Sequence, residues 1–140
     1  MEAKAKVLVV DDEDRFRENM VRLLNGQDMF AAGASSGLEA LDVLQKEEFD
    51  VVLLDMKMPE MNGMQTLAAI RRLDLPLQVV VLSGHASVDD AMEMMGQGAF
   101  DYLIKPCATD RLVKKVRQAY LEKRVVQGKA DIRDITGSEA

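Results

Sequence analysis

The chain has 140 residues, of which 48% are hydrophobic and 30% are charged, and its formal net charge is −6. This length and this balance are typical of one globular domain and exclude a disordered chain. The single cysteine and the single histidine exclude a disulfide framework and metal sites built from several such residues, and the negative charge disfavours nonspecific binding to nucleic acid or to an anionic membrane.

Five short apolar runs predict five strands. They cover residues 7–10, 30–34, 51–54, 79–82 and 100–104, and three of them are rich in valine, isoleucine and leucine without alternation. Runs of this kind are typical of strands that are buried on both faces of a parallel sheet.

Stretches with helical spacing follow the strands, so that strand and helix alternate five times. This alternation predicts an α/β fold, a doubly wound parallel sheet of five βα units with helices on both faces. Ser36 with Glu39 fits a capping box at the start of the second helix, and Ser87 with Asp90 gives a similar signal for the fourth. The side chains expected to face the core are Phe16, Met20, Leu23 and Leu24 in the first helix, Leu38, Leu41 and Leu44 in the second, Leu67 and Ile70 in the third, Val88, Ala91, Met92 and Met95 in the fourth, and Leu112, Val116, Ala119 and Tyr120 in the fifth.

The two ends of the chain show neither a secretory nor a membrane-spanning pattern. The N-terminal apolar stretch has only four residues, and no run approaches the roughly 18 residues of a membrane span. We therefore expect a cytoplasmic protein, in keeping with a single free cysteine. From about Val125 the sequence loses its period, which predicts a domain over residues 1–124 and a helix extension, loose tail or linker stub over residues 125–140.

Charged and polar side chains directly follow four of the predicted strands. Asp11 and Asp12 follow the first strand, Asp55 the third, Ser83 the fourth and Lys105 the fifth. Ligands of open α/β sheets bind at the carboxyl ends of the strands, so we expect these side chains to converge. Each of them alone is explained as well by a turn, cap or surface role, but three crowded carboxylates repel one another unless a cation lies between them. Oxygen ligands that leave room for a phosphate favour magnesium.

The same five residues suit phosphoryl transfer. A carboxylate can act as the nucleophile, while a metal, a lysine and a hydroxyl stabilise the charge of the transferred group. Asp55 is the best candidate for the nucleophile because it ends the central apolar strand alone. Asp11 and Asp12 are better suited to be a metal-binding pair.

Four separated segments occur in one order, each at the end of a predicted strand: VLVVDDE, LLDMKMPEMNG, VVVLSGHA and GAFDYLIKPC. Together they resemble the receiver domain of bacterial two-component response regulators, the CheY-like family, over roughly residues 5 to 123. The last segment is most similar to receivers of the NtrC-type class of transcription factors. The resemblance implies the flavodoxin-like strand order 2-1-3-4-5.

The resemblance also implies a metal site and a phosphorylation site. Asp55 matches the phosphoacceptor aspartate. Asp11 and Asp12 match the acidic pair that binds Mg2+, which Mn2+ can replace, with Asp12 in direct contact and Asp11 acting through water. Asp55 itself and the backbone carbonyl of Lys57 match the remaining protein contacts to the metal.

Three further positions match parts of a conformational switch. Ser83 matches the hydroxyl residue that follows the phosphoryl group, and Lys105 matches the lysine that pairs with that group. Tyr102 matches the aromatic residue that turns inward when the hydroxyl residue moves. The bond between Lys105 and Pro106 matches a peptide bond that is often cis in this family.

These roles imply a phosphorylation-dependent signalling receiver that catalyses its own phosphoryl transfer and dephosphorylation. The phosphoryl donor is then a sensor histidine kinase or a phosphotransfer protein. The surface of the fourth helix, fifth strand and fifth helix is the implied binding site for a downstream protein, an effector domain or a second copy of the domain. Neither nucleic acid nor a membrane is an expected partner of this domain.

Two alternative functions stay open. A Mg2+-dependent phosphatase could act through an aspartyl phosphate, although such enzymes usually carry a second aspartate two residues after the nucleophile, where this chain has Lys57. An interaction module that works without phosphorylation could share the fold, although it would not need the complete set of acidic, hydroxyl and lysine side chains.

Four other features have more than one interpretation. His85 lies at a position that tunes the phosphoryl lifetime in the family, or it is an exposed loop residue. Cys107 fits a small, partly buried hydrophobic residue better than a redox site. Met94 is off the apolar stripe of the fourth helix and is expected to face outward. The basic residues of the fifth helix are expected to form a solvated face, because no aromatic residues are interleaved to stack bases.

Overall fold

The computed structural model describes residues 4–84 and 87–126. The strands are β1 Lys6–Val10, β2 Phe30–Ala34, β3 Val51–Leu54, β4 Gln78–Ser83 and β5 Asp101–Ile104. The helices are α1 Asp14–Asn25, α2 Gly37–Lys46, α3 Gly63–Arg72, α4 Val88–Gly96 and α5 Thr109–Val126. All neighbouring strands are parallel, in the order β2-β1-β3-β4-β5, which confirms the predicted sheet.

Two apolar layers hold the sheet between the helices. Successive residues of a strand point to opposite faces, so that Leu8 and Val10 of β1 join one cluster and Val7 and Val9 join the other. The first cluster packs against α2, α3 and α4, and the second packs against α1 and α5. Both faces of the central strands are therefore covered, as the unbroken apolar runs predicted. None of the helices within the described ranges is long and apolar enough to span a membrane.

The predicted core faces are confirmed for most helices. Leu67 and Ile70 of α3 are fully buried, as are Leu112, Val116 and Ala119 of α5. In α1, Leu24 is buried and its neighbours on the stripe pack partly buried against the same cluster. In α2, the prediction is right for Leu44 and wrong for Leu38, which is exposed because the buried face of the helix carries Gly37, Ala40 and Leu44.

The prediction for α4 is wrong. Met94, expected outside, is fully buried, whereas Val88, Met92 and Met95 are 75%, 67% and 44% exposed. Four of the five residues from 91 to 95 are apolar, so that helical spacing alone admits more than one inward face. The path of this nine-residue helix across the sheet selects the face that carries Met94.

Three of the helices have an N-cap residue whose side chain accepts a backbone hydrogen bond. Ser36 and Ser87 each accept a hydrogen bond from the backbone of the third residue after them, as predicted. The carboxylate of Glu39 accepts from Ser35 rather than Ser36, so the second half of the predicted capping box is displaced by one residue. A complete box, Asn62 with Gln65, begins α3 and was not predicted.

Candidate functional site

Three aspartates meet at the carboxyl edge of the sheet. Val10 of β1 is aligned with Leu54 of β3, so the residues that follow them, Asp11 and Asp55, lie side by side. The backbone ladder continues between them, since the Asp55 N–H donates to the Val10 carbonyl. Each of Asp11, Asp12 and Asp55 offers a carboxylate oxygen, and these oxygens all lie within 4.8 Å of one another. The predicted convergence of the three acids is therefore confirmed.

Lys105, which follows the edge strand β5, extends its side chain to this cluster. Its Nζ lies 2.8 Å from Oδ2 of Asp11 and 3.7 Å from Oδ1 of Asp55. The backbone N–H of Lys105 donates to the carbonyl of Ser83, which extends the β4–β5 ladder to this residue. The peptide bond that follows it, to Pro106, is cis. A cation is thus placed between two carboxylates, where it offsets part of their repulsion.

Asp11 is held on both of its carboxylate oxygens. Oδ2 pairs with Lys105, and Oδ1 accepts a hydrogen bond of 2.9 Å from the backbone N–H of Glu13. Asp11 is only 2% exposed, whereas the neighbouring Asp12 is exposed. The carbonyl of Asp11 also accepts from the guanidinium of Arg17. These contacts tie the first turn of α1 to the acidic cluster.

Asp55 is a buried acid with a perturbed pKa. Burial raises the pKa of Asp55 above its ordinary value of 3.8, the positive charge of Lys105 lowers it, and the charges of Asp11 and Asp12 raise it further. The net effect is a raised pKa. The folded protein therefore disfavours the ionised form of this carboxylate. A bound cation would lower the free-energy cost of ionisation.

Ser83 and Tyr102 lie beside the cluster on neighbouring strands. Ser83 ends β4 and is 1% exposed. Tyr102 is aligned with Val81, two residues before Ser83, so the two side chains point to the same face of the sheet. The ring of Tyr102 packs partly buried against the core, and its hydroxyl donates to Sδ of Met56 at 3.4 Å. Burial, followed by the charges of Asp90 and Asp55, raises the pKa of this hydroxyl.

The loop after Asp55 is fixed by a close backbone approach. The N–H of Gly63 donates to the carbonyl of Met56 at 2.7 Å, and a Cβ on Gly63 would lie 2.5 Å from Cα of Met56. Only glycine therefore fits at the start of α3. The loop borders an open groove of about 430 Å³. Its lining residues are Met56, Lys57, Met58, Pro59, Asn62 and Asp90.

The arrangement fits a hard divalent cation. The side-chain atoms available as metal ligands are carboxylate oxygens of Asp11, Asp12 and Asp55, the ligand type that magnesium prefers. Asp12 is exposed to solvent. The raised pKa of Asp55 adds a physical reason for a cation at this point. Lys57 follows Asp55 by two residues with an exposed side chain, and the role of its carbonyl as a metal contact stays a prediction.

The contact between Phe16 and Lys105 was not predicted. The centroid of the Phe16 ring lies 3.8 Å from Nζ of Lys105. Sequence spacing assigned Phe16 to the core stripe of α1, and its ring does pack against the α1–α5 cluster. No sequence signal pairs it with a lysine 89 positions away.

The remaining candidates lie outside the cluster. Cys107 is partly buried and packs against the α1–α5 cluster, which supports the packing interpretation. Lys115 on α5 pairs with Asp101 at 2.7 Å, so at least one of the basic residues of this helix has an acidic partner. His85 and residues 127–140, which hold most of the predicted tail, lie outside the described residues.

Comparison with known proteins finds one family and the same fold. The family model described as response regulator receiver domain matches residues 7–117. Transcriptional regulatory protein ZraR of Escherichia coli is 40% identical over 117 residues, which cover 84% of this chain and 25% of ZraR. Alginate biosynthesis transcriptional regulatory protein AlgB of Pseudomonas aeruginosa is 37% identical over 111 residues, 79% of this chain and 25% of AlgB. The chain therefore spans about a quarter of the length of these curated relatives.

Solved structures are similar over nearly the whole domain. The crystal structure of a response regulator receiver domain protein from Clostridium thermocellum is 35% identical, with a TM-score of 0.82. The similarity covers 87% of this chain and 98% of that chain.

Proposed function

The chain belongs to the family of response regulator receiver domains, which act in phosphorylation-dependent signalling, and we propose that Asp55 is its phosphoacceptor. One observation carries this proposal: a buried carboxylate ends the central strand with two further aspartate oxygens within 4.8 Å and a lysine ammonium at 3.7 Å. A receiver domain acts in signalling and not as an enzyme that turns over a metabolite.

The proposed reaction transfers a phosphoryl group from a phosphohistidine to Asp55. A carboxylate oxygen of Asp55 attacks phosphorus, the phosphorus–nitrogen bond breaks, and its electron pair returns to the imidazole of the donor. Lys105 pairs with an oxygen of the transferred group, and the hydroxyl of Ser83 donates to another. Hydrolysis of the acyl phosphate by water at the same site resets the domain. The proposed donor is a sensor histidine kinase or a phosphotransfer protein.

The proposed cofactor is Mg2+, with Mn2+ as a substitute. Bound there, it neutralises charge on the carboxylates and on the phosphoryl oxygens. We assign direct contact to Asp12, Asp55 and the carbonyl of Lys57, and contact through water to Asp11. The exposure of Asp12 supports this division, as does the engagement of both Asp11 oxygens with Lys105 and the Glu13 N–H.

The proposed output surface is formed by α4, β5 and α5. Movement of Ser83 toward a phosphoryl group would make room for Tyr102, which lies on β5 between the site and this surface. The surface carries exposed apolar side chains, as binding surfaces commonly do. They are Val88, Met92, Met95 and Ile104. Since ZraR and AlgB are named as transcriptional regulators about four times as long as the matched region, we propose an effector domain or a second receiver as the partner.

The domain boundary and the compartment are part of the same proposal. We assign residues 1–124 to the receiver and residues 125–140 to a C-terminal extension, although α5 continues to Val126.

The proposed compartment is the cytoplasm, because a single free cysteine is in keeping with its reducing conditions.

The test is phosphorylation with acetyl phosphate, followed by intact-protein mass spectrometry. We expect the wild type to gain one phosphoryl group in the presence of Mg2+ and none after removal of the metal with EDTA. Asp55→Asn removes the nucleophile with little change in shape and should gain none. Asp42→Asn is the control, because Asp42 is an exposed aspartate of α2 whose ion-pair partner, Lys46, is also exposed. Equal phosphorylation of Asp55→Asn and wild type would contradict the assignment.

A further inference from the structure

The ring of Phe16 lies against the ammonium group of Lys105. The distance from the ring centroid to Nζ is 3.8 Å, well inside the roughly 6 Å within which a cation is attracted to the face of an aromatic ring. The Lys105 side chain is 21% exposed, so this contact is shielded from most of the solvent. Within the described residues, the neighbours of the ammonium include Asp11, Asp55 and the ring.

The helix turn that carries the ring contacts the same residue that pairs with the lysine. Asp11 accepts the N–H of Glu13, the residue before α1, and its carbonyl accepts from Arg17 in the first turn. Phe16 lies in that turn and also packs against the α1–α5 core cluster. The position of the ring is thus coupled to the acidic cluster through the backbone of α1.

The ring adds an interaction that the two carboxylates do not provide, because it favours one position of the ammonium group. Asp11 and Asp55 are both anionic partners of the ammonium, at 2.8 and 3.7 Å, and a flexible lysine could move toward either of them or toward water. The negative face of an aromatic ring adds an attraction that has a fixed position and carries no proton or net charge. It holds the ammonium near Asp55 without competing for the metal.

We infer that Phe16 is a positioning residue for phosphoryl transfer, which acts by holding the ammonium of Lys105 beside Asp55. The inference rests on the proposed function of Asp55. It concerns the rate of phosphorylation, because the lysine must meet the phosphoryl oxygens as charge develops on them. Loss of the ring should slow phosphorylation by roughly three- to tenfold, the range that a partly shielded cation–π contact supports.

The experiment measures the rate of phosphorylation by acetyl phosphate in saturating Mg2+ across a series at position 16. Site-specific replacement of Phe16 by 4-fluoro- and 3,4,5-trifluorophenylalanine weakens the negative face of the ring stepwise with little change in shape. We expect the rate to fall with each step, Phe16→Leu to be slowest and Phe16→Tyr to stay near wild type. Phe100→Leu is the packing control, since Phe100 lies against the same core cluster, and its rate should be unchanged.

A double-mutant cycle separates positioning from packing. In the Lys105→Gln background, Phe16→Leu should have no further effect on the residual rate, because the ammonium it acts through is gone. An equal loss in both backgrounds, or a rate that does not respond to fluorination, would overturn the inference and leave the proposed function standing.

A structural readout that does not depend on phosphorylation completes the test. The ε-methylene protons of Lys105 should show an upfield ring-current shift in the NMR spectrum of the wild type, and the shift should disappear in Phe16→Leu. Absence of the shift in the wild type overturns the inference directly. If the shift is present but the wild type takes up no phosphoryl group, the proposed function fails and the inference fails with it.

Discussion

Asp55 carries a negative charge in a place where the folded protein disfavours it. Burial and the charges of Asp11 and Asp12 outweigh the attraction of Lys105, so its pKa is raised. The folded protein then binds this proton more tightly than the unfolded chain does. An ionised carboxylate with a raised pKa lowers the stability of the folded protein at pH values above that pKa.

The first prediction concerns the pH dependence of stability without metal. The unfolding free energy of the wild type should fall relative to Asp55→Asn as the pH rises from 3.8, the ordinary value, to the raised pKa of the folded state. Above that value the difference should be constant, with the variant more stable by an amount on the order of 1 kcal/mol. Urea denaturation in EDTA at a series of pH values measures it.

Asp101 offers a control with the opposite sign. Burial raises its pKa, but hydrogen bonds from Lys115 and from the Tyr102 N–H outweigh this, and the net pKa is lowered. Asp101 therefore stabilises the fold above its unfolded pKa, and this contribution is lost as the pH falls through its folded pKa. Asp101→Asn should lower stability at neutral pH. A loss in Asp55→Asn of the same sign would contradict the first prediction.

At the scale of elements, β4 and β5 connect the proposed phosphorylation site to the α4 surface. Ser83 ends one strand and Tyr102 lies on the next, and both side chains point to the face that α4 covers. The exposed apolar residues of α4, together with Ile104, lie on that same side of the sheet. Changes at Ser83 thus have a short path to the surface, through one neighbouring strand.

The second prediction is that Ser83→Ala separates phosphorylation from the response. The variant retains Asp55, the metal ligands and Lys105, so it should still accept the phosphoryl group. Backbone amide shifts of residues 87–120 on phosphorylation, measured by two-dimensional NMR, should be large in the wild type and much smaller in the variant. Ser36→Ala, the same chemical change at the start of α2, should respond like the wild type. Equal shifts in Ser83→Ala and wild type would show that the serine does not couple the two regions.

At the scale of the whole molecule, folding assembles the acidic cluster, so binding of the proposed metal would be linked to folding. The carboxylates come from the ends of β1 and β3, and the lysine follows β5, so the site exists only when the sheet is assembled. A ligand that binds the folded state alone stabilises it by mass action. The metal site should therefore be visible in the stability of the entire domain.

The third prediction is a stability increase with Mg2+. At a concentration one hundred times Kd, the gain should be about 2.7 kcal/mol, measured as a rise in the thermal midpoint with Mg2+ concentration. Asp12→Ala should lose more of this response than Asp11→Ala, because Asp12 is exposed and assigned to direct contact. A midpoint that Mg2+ does not move would argue against the site, and equal losses in the two variants would argue against the division of roles.

Much of the fold and site could be predicted from the chain itself. The strands are unbroken apolar runs, and the residues that follow them lie at one edge of any parallel sheet, so Asp11, Asp55 and Lys105 had to converge. The caps at Ser36 and Ser87 could be predicted because an N-cap depends on residues three positions apart. Each of these features is encoded within a few residues.

Only the tertiary structure decided the features that depend on direction and distant packing. α4 is apolar on several sides, so its inward face, with Met94, followed from its path across the sheet. Lys105 pairs with a carboxylate 94 positions away. The centroid of the Phe16 ring, in the first turn of α1, lies 3.8 Å from the same ammonium group. The spacing of a sequence determines which residues can share a face. Which of those faces pack together is determined by the complete fold. The residues that meet there lie far apart in the chain, so the spacing within one element does not show their contacts.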